Sequence, residues 1–254
     1  MQDLDEHVAL TASVSGQLPG PWSGEHEVLL RELQARREAG EPLGRVLGRV
    51  QFRGLELAVG DGVFLPQPET SAVVDAVVAH VAALPGNPVV VDLCTGGGTV
   101  ALSVAAECPH AHVRASDLDP VALGWARRNA ERLGLDVPFV ESPAVSSFPD
   151  LDGQVDVVTS NPPYVADHEL AGVDPGVRDH DPHQALVSGP DGLDAVREVE
   201  QAAWRLLRPG GLVVVEHSDR QGSSAPAVFA PRWLEVQDRR DQFGDDRFVT
   251  ARRP

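Results

Sequence analysis

Val89-Val90-Val91-Asp92-Leu93-Cys94-Thr95-Gly96-Gly97-Gly98 is the stretch that decides the fold of this chain. Three valines and a leucine around a single acid suit a strand buried on both faces. The run breaks into glycines, which take positive φ without steric cost and let a ligand approach the main chain closely. Val100 to Ala106 then reads as a short helix, whose first N–H groups are free to meet a polar ligand. Strand, glycine turn and helix together make a nucleotide-type pocket. Gly96-x-Gly98-x-x-Ala101 also fits the dinucleotide fingerprint, and a tight turn without a ligand has the same composition, so this segment alone leaves the ligand open.

Outward from that turn the chain alternates strand and helix. Downstream, Ala111 to Ser116 reads as a strand, and Asp119 caps a helix with Pro120 at its first position and Gly134 just past its end. Phe139-Val140 and Val155 to Thr159 are further strands. Past an irregular stretch from 165 to 190, Leu193, Val196, Val199, Ala203 and Leu206 mark an amphipathic helix that Arg208-Pro209-Gly210-Gly211 ends, and Leu212 to Glu216 is the next strand. Trp233 to Arg239 and Arg247 to Arg252, joined through Gly244-Asp245, predict an antiparallel pair at the sheet edge. Upstream, Val73, Val74, Val77, Val78 and Val81 recur at helical spacing. Arg45 to Phe52 and Leu55 to Val59 predict a hairpin about Arg53-Gly54, and Glu25 to Ala39 a helix with Ser23 as N-cap and Gly40 as stop. Residues 1 to 22 show no sustained period and read as a loosely ordered lead-in. The alternation implies an α/β, doubly wound sheet.

Two further signals narrow the ligand and the chemistry. Asp117 lies at the end of the second strand of the alternation, 19 residues beyond Gly98, where a carboxylate can accept from both hydroxyls of a ribose, whether of NAD or of S-adenosylmethionine. The second signal is Asn161-Pro162-Pro163-Tyr164, directly after Val155 to Thr159. An amide or exocyclic amine nitrogen is a poor nucleophile because its lone pair is delocalised. A side-chain amide oxygen and a backbone carbonyl can accept its two hydrogens and aim that lone pair at a sulfonium methyl. Prolines have no N–H and stiffen the chain, so carbonyls can point into the site, while Tyr164 can wall a planar substrate. Asn-Pro is also a common turn opener, but its order and separation from the two upstream signals point to methyl transfer to a planar nitrogen.

With these residues in view, the chain resembles the release-factor glutamine N5-methyltransferases, the PrmC/HemK-type family, from Gly40 to Arg253. The resemblance rests on Gly40-Glu41-Pro42-Leu43 with Leu47-Gly48, Phe52 to Val59, Phe64 to Thr70, the glycine turn, and Asn161 to Tyr164. It continues through Val177-Arg178-Asp179, Pro182, Ala185-Leu186, Asp191-Gly192-Leu193, Leu207 to Glu216 and Gln221-Gly222. It implies a seven-stranded class I methyltransferase sheet, with residues 1–63 as a short helical cap and β-hairpin linker and 64–254 as the catalytic domain. It further implies that Cys94, Thr95, Gly96, Gly97, Gly98, Asp117 and Asn161 contact S-adenosylmethionine, with Ala144 beside the adenine. Asn161, Pro162, Pro163 and Tyr164 would grip the glutamine of a release factor's Gly-Gly-Gln, with Asn161, Pro162 and Tyr164 catalytic. Three positions depart from the family. Gln67 replaces the arginine of its Pro-Arg-Pro-Glu-Thr loop, Pro143-Ala144 replaces an acid and a bulky apolar residue, and about forty residues precede Gly40 where the family has a longer bundle.

Composition sets limits on the other readings. The 254 residues carry a formal charge of −17 from 38 acids against 21 basic side chains, a balance that repels a phosphate backbone and weighs against nucleic acid as a direct partner, and so against a nucleobase amino-methyltransferase. No apolar run reaches membrane-spanning length and the first thirty residues lack a secretory pattern, so a cytoplasmic protein is expected. Two cysteines with no paired spacing make disulfides and zinc unexpected. Asp167-His168-Glu169 and Asp179-His180-Asp181-Pro182-His183 look like ligand clusters, but the chemistry needs no metal and such an insertion is expected to be solvated. Cys94 has no evident base and reads as a space-filler in the turn. A paralogue that methylates another protein or a small molecule, or a non-catalytic cofactor-binding module, remain the rivals, and intact Asn161 to Tyr164 counts against the last.

Overall fold

The computed structural model describes residues 2–254. Its elements in chain order are α1 (Gln2–Gln17), α2 (Gly24–Glu38), α3 (Leu43–Leu47), β1 (Arg49–Phe52), β2 (Leu55–Ala58), α4 (Ser71–Ala82), β3 (Val89–Leu93), α5 (Thr99–Glu107) and β4 (His112–Asp117). There follow α6 (Pro120–Leu133), β5 (Phe139–Glu141), β6 (Val155–Ser160), α7 (Pro175–Arg178), α8 (Asp194–Leu206), β7 (Leu207–Glu216), α9 (Ser224–Phe229), β8 (Leu234–Arg240) and β9 (Asp246–Arg252). Seven strands form one sheet in the order β5-β4-β3-β6-β7-β9-β8. All run parallel except β9, which is antiparallel to both neighbours and so gives the expected antiparallel pair at the edge.

Successive residues of β3 feed two different cores, which is why the strand shows no polar alternation. Val90 packs with Val157, Val214 and the α4 valines Val73, Val74 and Val77 on one face. Val91 and Leu93 pack with Val158, Val213 and the α8 residues Val196, Val199 and Leu206 on the other. From β3 the chain moves through β4 to β5, then lays β6 on the opposite side of β3. This reversal opens a crevice at the carboxyl ends of β3 and β6, where doubly wound sheets bind ligands. Asp119 caps α6, its Oδ1 accepting from the Val121 N–H at 2.8 Å, and Gly134 closes the helix at φ +66°.

Three expectations are corrected at the N-terminal side and in the insertion. Residues 2–17 form a helix rather than a loose lead-in, Met1 lying outside the described residues. Among its described side chains the apolar ones that α1 buries are Leu10 and Val14, packed against Leu30 and Leu33 of α2 and Val46 of α3, a spacing too sparse to register as a period. Arg45 to Leu47 belongs to α3 and not to a strand, because Pro42 opens a turn that Gly48 closes at φ +69° before β1 begins. Asp181, expected in solvent, is buried against Arg45, and its Oδ1 also accepts from the Leu65 N–H at 3.3 Å. Arg45 donates in addition to the carbonyls of Gly60 and Val63, each at 2.6 Å. The guanidinium thus ties α3, the 60–65 loop and the insertion after β6 together. Asn129 on α6 is a second tie: its amide exchanges hydrogen bonds with the N–H and carbonyl of Ala58, at 2.7 and 3.1 Å, and donates to the Gly97 carbonyl at 3.1 Å.

Candidate active site

A cleft of 480 Å³ lies over the carboxyl ends of the central strands, a volume suited to a nucleotide-sized ligand. Ten of the eleven residues expected at the site line it, Cys94, Thr95, Gly96, Gly97, Asp117, Ala144, Asn161, Pro162, Pro163 and Tyr164; the eleventh, Gly98, sits at the turn behind them. The floor is the β3–α5 turn, where Cys94, Gly96 and Gly98 take φ of +54°, +57° and +86°. A Cβ on Gly98 would stand 2.9 Å from Leu102 Cδ1, whereas one on Gly96 would meet nothing. Gly98 is therefore required by packing as well as by φ, and Gly96 faces open cleft. Burial, followed by the charge of Asp117, pushes the Cys94 thiol up to about 12, consistent with a space-filling role rather than a nucleophile.

Asp117 is already in use by the backbone. Its Oδ2 accepts from the Gly96 N–H at 2.7 Å and its Oδ1 from the Asp119 N–H at 2.9 Å. The carboxylate therefore shapes the glycine turn and keeps its remaining lone pairs for the cleft. Burial holds it above the usual carboxylate range, while the N–H groups of Asp119 and Gly96 pull the other way. Asp92, one turn deeper, accepts from the Thr95 hydroxyl at 2.6 Å and the Ala101 N–H at 3.2 Å, both on Oδ2. Its Oδ1 is buried with no partner among the described residues, and burial pushes the carboxyl up to about 7. An acid inside a run of valines is the sequence signal that could have placed Asp92 among the site residues.

Asn161 and Tyr164 are braced from behind. The Asn161 Nδ2 donates to the Thr70 hydroxyl at 3.3 Å, which leaves Oδ1 for the cleft. Thr70 itself is buried and closes the Pro68-Glu69-Thr70 turn, whose Pro68 carbonyl accepts from Gln242 in the β8–β9 hairpin at 2.8 Å. The N–H groups of Tyr164 and Val165 both reach the Leu186 carbonyl, at 3.2 and 2.8 Å, and Gln221 donates to the Tyr164 carbonyl at 3.1 Å. Gly192 passes so close that a Cβ there would sit 2.4 Å from that carbonyl oxygen. Behind these groups is Glu216, fully buried at the end of β7. Its Oε1 accepts from the Tyr164 hydroxyl at 3.5 Å, while its Oε2 has no partner among the described residues.

Carboxylates outnumber arginines along the cleft by seven to two, so the lining favours a cationic ligand. Gln67, in place of the expected arginine, folds back onto the Leu65 carbonyl at 3.1 Å. Cations reach the cleft from elsewhere: Arg247 of β9, held by Asp241 at 3.0 Å, and Arg220, held by Glu169 at 3.3 Å. The sequence reading did not single out Thr70, Glu216 or Arg247. They come from three distant segments, and only the folded sheet brings them behind one wall.

Residues 71–173 match the methyltransferase small domain family. A release factor glutamine methyltransferase of Streptomyces coelicolor is 51% identical over 255 residues, covering 99% of this chain and 90% of that protein. A 4-amino-L-phenylalanine/4-methylamino-L-phenylalanine methyltransferase of Streptomyces pristinaespiralis is 40% identical over 210 residues, 80% of this chain and 71% of its own length. The fold is shared with a methyltransferase of Pyrococcus furiosus at a TM-score of 0.55 and 17% identity, over 91% of this chain and 98% of that one.

Proposed function

The chain belongs to the release factor glutamine methyltransferase family, and from that premise we propose that it methylates the side-chain amide nitrogen of a glutamine in a peptide chain release factor, using S-adenosylmethionine. The observation that carries the chemistry is the direction of the Asn161 amide: Nδ2 is taken up by Thr70, so an acceptor oxygen is left for the cleft at the sheet's switch point. S-adenosylmethionine, when bound, supplies an electrophilic methyl group on a positively charged sulfur. The residues fit it: a glycine turn open at Gly96, a carboxylate at Asp117, an orphaned acceptor on Asp92 and an acidic lining. In this reading Asp117 holds the ribose, Cys94 to Gly98 present the backbone to the ligand, and Ala144 flanks the adenine.

Asn161 Oδ1 and the Pro162 carbonyl accept the two N–H groups of the glutamine amide and turn its lone pair towards the methyl carbon. Pro163 and Tyr164 wall the plane of the amide. A C–N bond forms as the C–S bond breaks, its electron pair remaining on sulfur. The nitrogen then sheds one proton to solvent, since the amide oxygens that face it are too weakly basic to keep it. Rate enhancement comes from position and from exclusion of water rather than from a base. Residues 1–63 serve as the cap and linker beside which the protein substrate docks, and residues 64–254 as the catalytic unit.

A second reading, transfer to an amino group on a small aromatic amino acid, is favoured by the Streptomyces pristinaespiralis relative and its named substrate. One experiment separates the two. Purified enzyme and S-adenosylmethionine are incubated in parallel with intact release factor and with 4-amino-L-phenylalanine, and tandem mass spectrometry locates the added methyl group. A single methyl on the Gly-Gly-Gln glutamine is expected. An unmodified release factor beside a methylated small molecule would replace this reading with the second.

A further inference from the structure

We propose that Gln221 is a positioning residue that holds the substrate-facing wall in place by taking up the main-chain carbonyl of Tyr164. This deepens the nitrogen-methylation reading and rests on it, because in that reading Tyr164 is the wall against the planar amide.

Gln221 closes the single turn Asp219–Gln221 just past β7, and its side chain is buried. Its Oε1 accepts from the Ser218 N–H at 3.1 Å. Its Nε2 donates towards three main-chain carbonyls, those of Tyr164 at 3.1 Å, Gly192 at 3.3 Å and Asp191 at 3.5 Å. An N–H can only donate and a carbonyl can only accept, so these partners admit one orientation of the amide. The wall it meets has little other freedom. Pro162 and Pro163 fix their own φ, and the N–H groups of Tyr164 and Val165 are both taken by the Leu186 carbonyl. The peptide that joins Tyr164 to Val165 is thus held at its N–H by Leu186 and at its carbonyl by Gln221. Gly192 leaves room for this contact, since a Cβ there would stand 2.4 Å from the Tyr164 carbonyl oxygen and 2.8 Å from Gln221 Nε2. Ser218, Asp219 and Arg220, on the same turn, line the cleft, so one side chain ties the rim after β7 to the wall after β6. Without that donor the Tyr164–Val165 peptide can rotate, and the ring that hangs from it moves off the plane of the amide. Gln221 does not meet the reacting atoms; it acts through Tyr164.

The experiment has an arm that does not depend on turnover. Tyr164 is the sole tyrosine of the chain, so full-length protein grown with carbon-13 tyrosine reports on this wall and nothing else. The wild type should give one sharp set of ring signals. In Gln221→Met, which keeps the length of the side chain and lacks the donor, the Tyr164 carbonyl signal should move upfield and the ring signals should broaden or split. The kinetic arm follows methyl transfer to release factor. Gln221→Met should lower kcat by about tenfold to a hundredfold, the range expected when a positioning group shifts by about 1 Å. The KM for release factor and the affinity for S-adenosylmethionine should each stay within about threefold, because what is lost is alignment in the transition state and not binding. An unmoved carbonyl signal with one sharp ring set, a wild-type kcat, or a loss that falls wholly on KM would overturn the proposal. If Gln221→Met does not fold, Gln221→Asn, which keeps the amide but falls one methylene short of the Tyr164 carbonyl, decides it in both arms. An unmethylated release factor with wild-type enzyme would strike the choice of substrate alone, and the labelled tyrosine would still judge the role of Gln221.

Discussion

Asp117 has two tasks, and a substitution there tests both. It is expected to accept from the ribose, and it holds the Gly96 N–H at 2.7 Å. Asp117→Ala should therefore weaken S-adenosylmethionine binding by at least tenfold to a hundredfold, equivalent to ~1.5–3 kcal/mol for one charge-assisted hydrogen bond. Calorimetry reads this directly, and an unchanged affinity would show the ribose to lie elsewhere. Asn161→Ala should instead spare the fold and lower single-turnover rates by roughly a hundredfold, because the nitrogen loses the acceptor that aims it. A wild-type rate would remove Asn161 from the mechanism. These two residues were legible in the sequence because each directly follows or ends a strand, where side chains must face the crevice. Glu216 also ends a strand, β7, yet nothing in the sequence distinguishes an acid that lines a cleft from one sealed behind its wall. Asp181 was misjudged for the matching reason: charge in an irregular insertion normally means solvent, and the partner that buries it, Arg45, lies 136 positions away.

At the level of elements, the strand and helix succession could be read from period and punctuation, since buried valine runs and Pro-in, Gly-out helices leave local traces. Contacts that join elements leave none. α1 escaped because two buried apolar side chains do not make a period, and α3 because five residues between a proline and a glycine carry too little pattern. The Arg45–Asp181 pair joins α3 to the insertion that follows the Asn161 turn, and both side chains are sealed from water, at 4% and 2% exposure. Breaking a buried pair by removing one partner strands the other charge, at a cost of ~3–5 kcal/mol. Asp181→Ala should therefore destabilise the protein by about that much, whereas Arg45→Met combined with Asp181→Leu should lose less. Denaturant titration of the two variants is the check, and a double variant weaker than the single one would show that the pair contributes more than it costs to desolvate.

For the whole molecule, pH and salt expose what the charge distribution does. Burial pushes Asp92 and Glu216 up to about 7 in the native state, far above their values of about 4 in an unfolded chain. Between those limits the unfolded chain has released protons that the native one keeps, so this contribution to stability falls as pH rises from about 4 to about 7 and is constant above. Relief of self-repulsion in a chain of charge −17 acts in the same direction. His80, lowered by burial and then by Arg252, opposes it, but one modest shift stands against two large ones. Unfolding free energy without ligand should thus be greater at about pH 5.5 than at about pH 7.5, and the gap should narrow in Asp92→Asn. The acidic lining of the cleft has a consequence for turnover as well. Methyl transfer erases the sulfonium charge while leaving the rest of the molecule in shape, so the spent cofactor differs from the fresh one chiefly by one unit of electricity. A cleft with seven acidic side chains to two arginines should grip the fresh form and loosen on the spent one, a one-way valve that needs no moving part. Added salt should blunt it, bringing the dissociation constants of S-adenosylmethionine and S-adenosylhomocysteine closer together as ionic strength rises, because screening weakens exposed charges most. Product inhibition should then grow with salt, because only the charged substrate loses affinity: fresh cofactor should displace the spent one best where salt is scarce.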